Sequence, residues 1–176
     1  MYVIDTNICI YLIKKKYEKL LHRIEQEKAY SIGISAITIA ELEFEIAKSL
    51  YPERNRMALL EFLGSFKIIP FSDLDAKAFG YIRAYLNKKG TPIGPYDLQI
   101  AAQCLSGDFI LVTNNTKEFK RVPYLKIENW VDPVISQASK GRRRNDYYLY
   151  IQIIRIAALH LPGINKFYPC IFIIFT

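Results

Sequence analysis

Histidine is nearly absent from this chain. There are two, His22 and His160, and neither has a ligand partner close by in sequence. Cysteine is also scarce: Cys9, Cys104 and Cys170 are odd in number and show no metal-ligand spacing. These shortages count against a zinc site and against a disulfide framework. Cys9 and Cys104 fall in apolar runs, where a buried free thiol is expected. Long clean apolar runs are missing too. Residues 147–161 make only a 15-residue run and it contains Arg155, whereas a membrane span needs roughly 20 residues. No secretory leader is evident, because Asp5 interrupts the first apolar stretch, so a cytoplasmic protein is the expectation.

The chain has 176 residues, 51% hydrophobic and 23% charged, enough for one domain with a real core. Its net charge is +7, but the excess is unevenly placed. Residues 1–132 carry 18 Lys and Arg against 16 Asp and Glu, a net of +2. Residues 133–176 carry 6 against one acid, Asp146, a net of +5. Overall charge is therefore a weak argument for a nucleic-acid partner.

Apolar periodicity divides residues 1–132 into alternating strands and helices. Strands are expected at 2–4, 31–35, 67–71, 109–113 and 126–130. Helices are expected from Thr6, over 17–28, 38–50 and 52–63, over 73–89 with Gly90 as its stop, and over 95–105. Pro52 and Pro95 each suit a first helical turn. Residues 41–46 also alternate like a strand, but the Ala/Glu/Leu-rich run is long enough to favour helix. Such alternation implies a parallel sheet of about five strands covered on both faces. Ligands bind such sheets beyond the carboxyl ends of the strands.

Three carboxylates fall at that edge. Asp5 closes the first strand, Glu41 follows residues 34–40, and Asp97 lies in the first turn of a helix. An ionised carboxylate beside a buried segment costs several kcal/mol unless paired or metal-bound. Three acids without matching bases point to a hard cation, Mg²⁺ or Mn²⁺, the usual equipment for phosphodiester hydrolysis. Each motif has a plainer explanation as well. Asp5 or Thr6 can cap a helix, and Asp97 suits a helix dipole. Residues 113–119, with Asn114, Asn115 and Glu118, suit a turn, although Glu118 adds a fourth acid. Lys117, Lys120 and Arg121 beside it suit a polyanion backbone. Glu45 is expected to be solvated beside Lys48, Tyr81 and Tyr85 to serve core or interface, and Lys14–Lys16 to be a solvated helix end.

These stretches resemble the PIN-domain ribonucleases, in particular the VapC toxins. The matching pieces are Asp5-Thr-Asn-Ile-Cys-Ile, Ser35-Ala-Ile-Thr-Ile-Ala-Glu-Leu, Lys89-Gly-Thr-Pro-Ile-Gly-Pro-Tyr-Asp and Leu111-Val-Thr-Asn-Asn-Thr-Lys-Glu-Phe-Lys-Arg-Val-Pro. Leu125-Lys-Ile-Glu-Asn-Trp is similar to the family's ending. The third and fourth pieces look most like the branch that cleaves initiator tRNA in the anticodon loop. The resemblance implies a three-layer α/β/α fold and Mg²⁺- or Mn²⁺-dependent RNA hydrolysis. By position, Asp5 and Asp97 would bind metal directly, and Glu41 directly or through water. Asn115 stands where many relatives have Asp, so a second metal should bind weakly unless Glu118 compensates. Gln103 stands where relatives often carry His. A homodimer is implied, and so is a small VapB-like antitoxin that occludes the acidic groove. Operator DNA would be bound only through the antitoxin.

Two rival classes stand beside this one: a PIN-like module that holds RNA or a partner without cutting, and another phosphoryl-transfer enzyme such as a DNA nuclease or phosphatase. The stretch 133–176 has no counterpart in the family and reads as an unselected extension, by read-through or a shifted frame. A basic membrane-surface or partner-binding segment is its alternative. Truncation at Asp132 separates the two. An extension without function leaves the shortened protein soluble and as active as the full chain; insolubility or lost activity shows that the segment is needed.

Overall fold

The computed structural model describes residues 1–28 and 31–131. Everything expected of 133–176 lies outside the described residues. Five short parallel strands form one sheet in the order β3-β2-β1-β4-β5. They are β1 (Tyr2–Ile4), β2 (Ile32–Ser35), β3 (Lys67–Ile69), β4 (Ile110–Val112) and β5 (Lys126–Glu128). Seven helices are present among the described residues. They are α1 (Thr6–Ile13), α2 (Glu18–Gln26), α3 (Ala36–Ala47), α4 (Pro52–Leu63), α5 (Asp73–Lys88), α6 (Pro95–Ser106) and α7 (Thr116–Phe119). The architecture is the expected three-layer α/β/α sandwich. None of these helices is long and apolar enough to cross a membrane.

The centre of the sheet is buried on both faces, which is why its strands show no alternation of apolar and polar residues. Val3, Ile4, Ile34, Leu111 and Val112 are fully buried. β1 lies between β2 and β4, with Tyr2 opposite both Ile32 and Ile110. Strand order therefore reverses at β1–β4, and a crevice at that point is the usual ligand position in open parallel sheets.

Local chemistry moves several expected boundaries. α3 starts at Ala36 rather than Thr38, because the Ser35 hydroxyl accepts from the Ile37 amide at 2.9 Å and caps the helix at the strand's end. It stops at Ala47 rather than Leu50. Thr38, Leu42 and Ile46 are buried at helical spacing, so the strand-like alternation of 41–46 is incidental. The segment 116–119 was expected as turn and is a helical turn, anchored by a fully buried Phe119. β3, β4 and β5 are shorter than their apolar runs. Cys9 and Cys104 are buried free thiols, as expected, and burial pushes both well above the usual thiol range. Glu45 pairs with Lys48 at 2.7 Å. Tyr85 packs against the core, whereas Tyr81 is exposed.

Packing leaves little room for a side chain at Gly33. A Cβ on Gly33, in central β2, would lie 2.6 Å from Cδ1 of Ile69 and 3.3 Å from the Lys67 carbonyl oxygen on β3. Gly33→Ala is expected to destabilise the fold by about 1–3 kcal/mol through overpacking. Urea denaturation at unchanged m-value measures it; an unaltered midpoint would show that Ile69 can step aside freely.

Candidate functional site

The site begins where β1 stops. Asp5 is the N-cap of α1: its Oδ1 accepts from the Ile8 amide at 2.8 Å. Its Oδ2 accepts from the Thr113 hydroxyl at 2.5 Å, across the β1–β4 reversal. The plain capping role and a site role thus fall on one side chain. Asp5 is only 4% exposed. Burial raises its pKa to about 6, the neighbouring Glu41 charge pushes the same way, and the Thr113, Ile8 and Asn7 hydrogen bonds offset part of this.

Glu41 comes from α3, which packs on α1. Its Oε2 accepts from the Thr6 hydroxyl at 2.5 Å. Asp97 stands in the first turn of α6, presented by Pro95. Glu118, on α7, lies against the Asp97 carboxyl. Asp97 has its pKa raised to about 7, first by burial, then by its contact with Glu118 and the charges of Glu118, Glu41 and Asp5. The Asn115 amide donates to Asp97 Oδ2 at 3.5 Å, a long bond.

All five residues singled out from the sequence (Asp5, Glu41, Asp97, Asn115 and Glu118) are thus brought to one edge of the sheet. Thr113 and Thr6 were not singled out as carboxylate partners. Each pairs with an acid from another element, at 108 residues' separation for Thr113 and Asp5. The only local signal was a hydroxyl residue beside a strand end. Gln103 is fully buried and apart from the acids: it receives the Ser35 hydroxyl and donates to the carbonyls of Ile69 and Pro70 at 3.2 and 3.0 Å.

The donor set suits a hard cation. It is all carboxylate oxygen, two of its acids have pKa values raised by burial and mutual repulsion, and Asp97 touches another acid rather than a base. Among the described residues no three acids, histidines or cysteines already form a closed ligand cage. Hydroxyls and amides hold Asp5 and Glu41 back in position instead. Mg²⁺ needs no closed cage, since it keeps several waters and takes one or two carboxylates.

A parallel sheet with acids gathered at its reversal point suits metal-assisted phosphoryl-transfer chemistry. The chain belongs to the PIN-domain family, whose model matches residues 2–125. Ribonuclease VapC2 of Haemophilus influenzae is 45% identical over 130 residues, 74% of this chain and 98% of that protein. The tRNA(fMet)-specific endonuclease VapC of Salmonella typhimurium is 40% identical over 129 residues, 73% of this chain and 97% of that protein. The structure of VapBC2 from Rickettsia felis, bound to a DNA fragment from its promoter, matches with a TM-score of 0.69 at 41% identity. That match covers 74% of this chain and 98% of the other.

The raised acids make metal-free stability depend on pH. An unfolded Asp titrates near its ordinary value of 3.8, while folded Asp5 titrates near 6. The folded state therefore holds the extra proton between these values. Stability is highest below about pH 4 on this account and falls as pH rises through 6, by roughly 2–3 kcal/mol for Asp5. Asp97 adds to the trend, reduced by solvent screening. In EDTA, Tm is expected to fall between pH 5 and 8, and less steeply in Asp5→Asn. Mg²⁺ or Mn²⁺ should raise Tm more at pH 8 than at pH 5. An equal effect at both values would show that the acids carry no such strain.

Proposed function

We propose that this protein is the ribonuclease toxin of a two-component toxin–antitoxin pair and that it hydrolyses a phosphodiester bond of tRNA, initiator tRNA in the anticodon loop. The single observation that carries the reading is the convergence of Asp5, Glu41, Asp97 and Glu118 beyond β1 and β4, where Asp5, Glu41 and Asp97 take hydrogen bonds from hydroxyls and amides and Asp97 lies against Glu118. Similarity to the Salmonella endonuclease supports the choice of RNA.

Asp5 and Asp97 would hold Mg²⁺ or Mn²⁺ in this reading, and Glu41 would do so directly or through water. When bound, the cation supplies Lewis acidity toward the scissile phosphate and makes an attacking water more acidic. Glu41, kept in place by Thr6, would accept the proton of an attacking water. Asp5 is fixed by Thr113 and the Ile8 amide, so its geometry needs no rearrangement as charge develops. Asn115 cannot contribute the charge of an aspartate, and Glu118 supplies it beside Asp97 instead.

The protein acts in the cytoplasm as a homodimer. Its partner is a small VapB-like antitoxin that covers the acidic groove, with an arginine set against the carboxylates. Operator DNA is bound through that antitoxin. The promoter-bound VapBC2 complex of Rickettsia felis supports this arrangement.

Incubation of the full chain with bulk bacterial tRNA and Mg²⁺ or Mn²⁺, followed by mapping of new RNA ends, tests the proposal. One discrete cut is expected, abolished by EDTA and slowed at least about 100-fold in Asp97→Asn. Intact tRNA after exposure to well-folded protein and either metal would instead favour an RNA- or partner-binding module.

A further inference from the structure

α1 runs outward from the acids, and Tyr11 in its last turn stands about 9 Å along the axis from Asp5. The end of α1 is a Schellman cap: the Lys15 amide donates to the Leu12 carbonyl at 3.0 Å and the Lys16 amide to that of Tyr11 at 2.9 Å. α5 and α6 end the same way. Their left-handed positions are Gly90 (φ 66) and Asp108 (φ 51), residue types that enter this conformation most readily. In α1 the position is Lys15, at φ 48, where a lysine is strained.

The cap brings Lys16 back over its own helix. Its ammonium lies 5.0 Å from the centre of the Tyr11 ring and 5.3 Å from that of Tyr17. The two rings meet edge to face at 5.0 Å and 74°. Lys16 remains exposed while both tyrosines are half-buried. The Tyr11 hydroxyl accepts from Asn114 Nδ2 at 2.9 Å. Asn114 directly follows Thr113, the residue that holds Asp5. Because the phenol oxygen accepts from the amide, its own proton is left for another acceptor. The helix dipole accounts for basic residues at this end, but not for a strained Lys15 or for the tyrosine pair that holds Lys16.

We propose that Lys16 and Tyr11, oriented by Asn114, form a backbone subsite that holds a single-stranded RNA segment flanking the acid cluster. Lys16 pairs with a phosphate, and the Tyr11 hydroxyl donates to a phosphate or sugar oxygen of the same strand. The aromatic pair keeps the ammonium in place, so little side-chain freedom is lost when RNA arrives. This subsite rests on the ribonuclease reading for its substrate class, and binding tests it without any cleavage.

Full-length protein in EDTA is titrated into a fluorescein-labelled single-stranded oligoribonucleotide at several salt concentrations, and Tm is recorded for each variant. Lys16→Ala is expected to weaken binding about fivefold to tenfold and to lower the slope of log K against log salt by about 0.7, the value for one lost phosphate contact on a single strand. Tyr11→Phe keeps the ring and loses the proton; a loss of about threefold at unchanged slope is expected. Lys77→Ala, an exposed charge change on α5, should alter neither. The subsite is overturned if Lys16→Ala retains the parental slope, if Lys77→Ala lowers it equally, or if the wild-type chain does not bind the oligoribonucleotide. Failure to cut tRNA would sink the nuclease reading alone, whereas a chain that cuts tRNA and binds RNA indifferently to Lys16 would sink the subsite alone.

Discussion

The hydrogen bond from Thr113 to Asp5 spans the one place in the sheet where strand order reverses, and the site is arranged around it. Burying an unpaired carboxylate costs several kcal/mol. Two hydrogen bonds to a charged group return about 1.5–3 kcal/mol each. The bonds from Thr113 and the Ile8 amide therefore come close to offsetting burial without cancelling it. The residue of that imbalance is a pKa near 6 rather than 3.8. Asp5 is held where it can be, in a form that a nearby cation would favour.

Around that point, each further acid adds repulsion as well as a ligand atom. Glu41 raises Asp5, and both raise Asp97. Repulsion of this kind would push the side chains outward if their backbones were free. They are not. Glu41 is tied through Thr6 to the first residue of α1. Asp97 rides on α6, and Gln103 fastens that helix internally. Its amide links the Ser35 hydroxyl at the end of β2 to the carbonyls of Ile69 and Pro70 beyond β3. A neutral amide performs this task with no added charge. It satisfies both a donor and two acceptors in the core, where an unmade bond is expensive.

Much of this was legible in the sequence, for identifiable reasons. The strands are buried on both faces, so they read as short uninterrupted apolar runs, and each acid interrupts or follows one. Pro95 marked the start of α6, and with it the position of Asp97. What local pattern cannot carry is pairing at long range. Thr6 meets Glu41 35 residues away, and Ser35 meets Gln103 68 residues away. α7 was hidden for another reason: Asn114 and Asn115 are strong turn residues, and one buried Phe119 outweighs them by packing. The parallel sheet already put the three acids at one edge; the resemblance to PIN domains supplied what spacing alone does not, the expected role of each acid toward a metal.

The distribution of charge completes the physical picture. A cluster of acids repels the polyanion it is meant to receive, so attraction has to come from its margins. On one side Lys117 and Lys120 are exposed around α7, next to Glu118. Arg121 beside them donates to the Pro92 carbonyl at 2.9 Å and so braces the loop that leads to Asp97. On the other side the chain leaves α1 through three consecutive lysines, one of them seated on two tyrosines. Both margins are built from residues close in sequence to an acid: those that end α1 after Asp5, and Lys117, Lys120 and Arg121 on either side of Glu118. The same short elements that place the carboxylates therefore also place the cations. A net charge of only +2 over residues 1–132 conceals this division. What matters for a nucleic-acid site is the local alternation of sign across its edge, and the reversal point of the sheet is where the fold produces it.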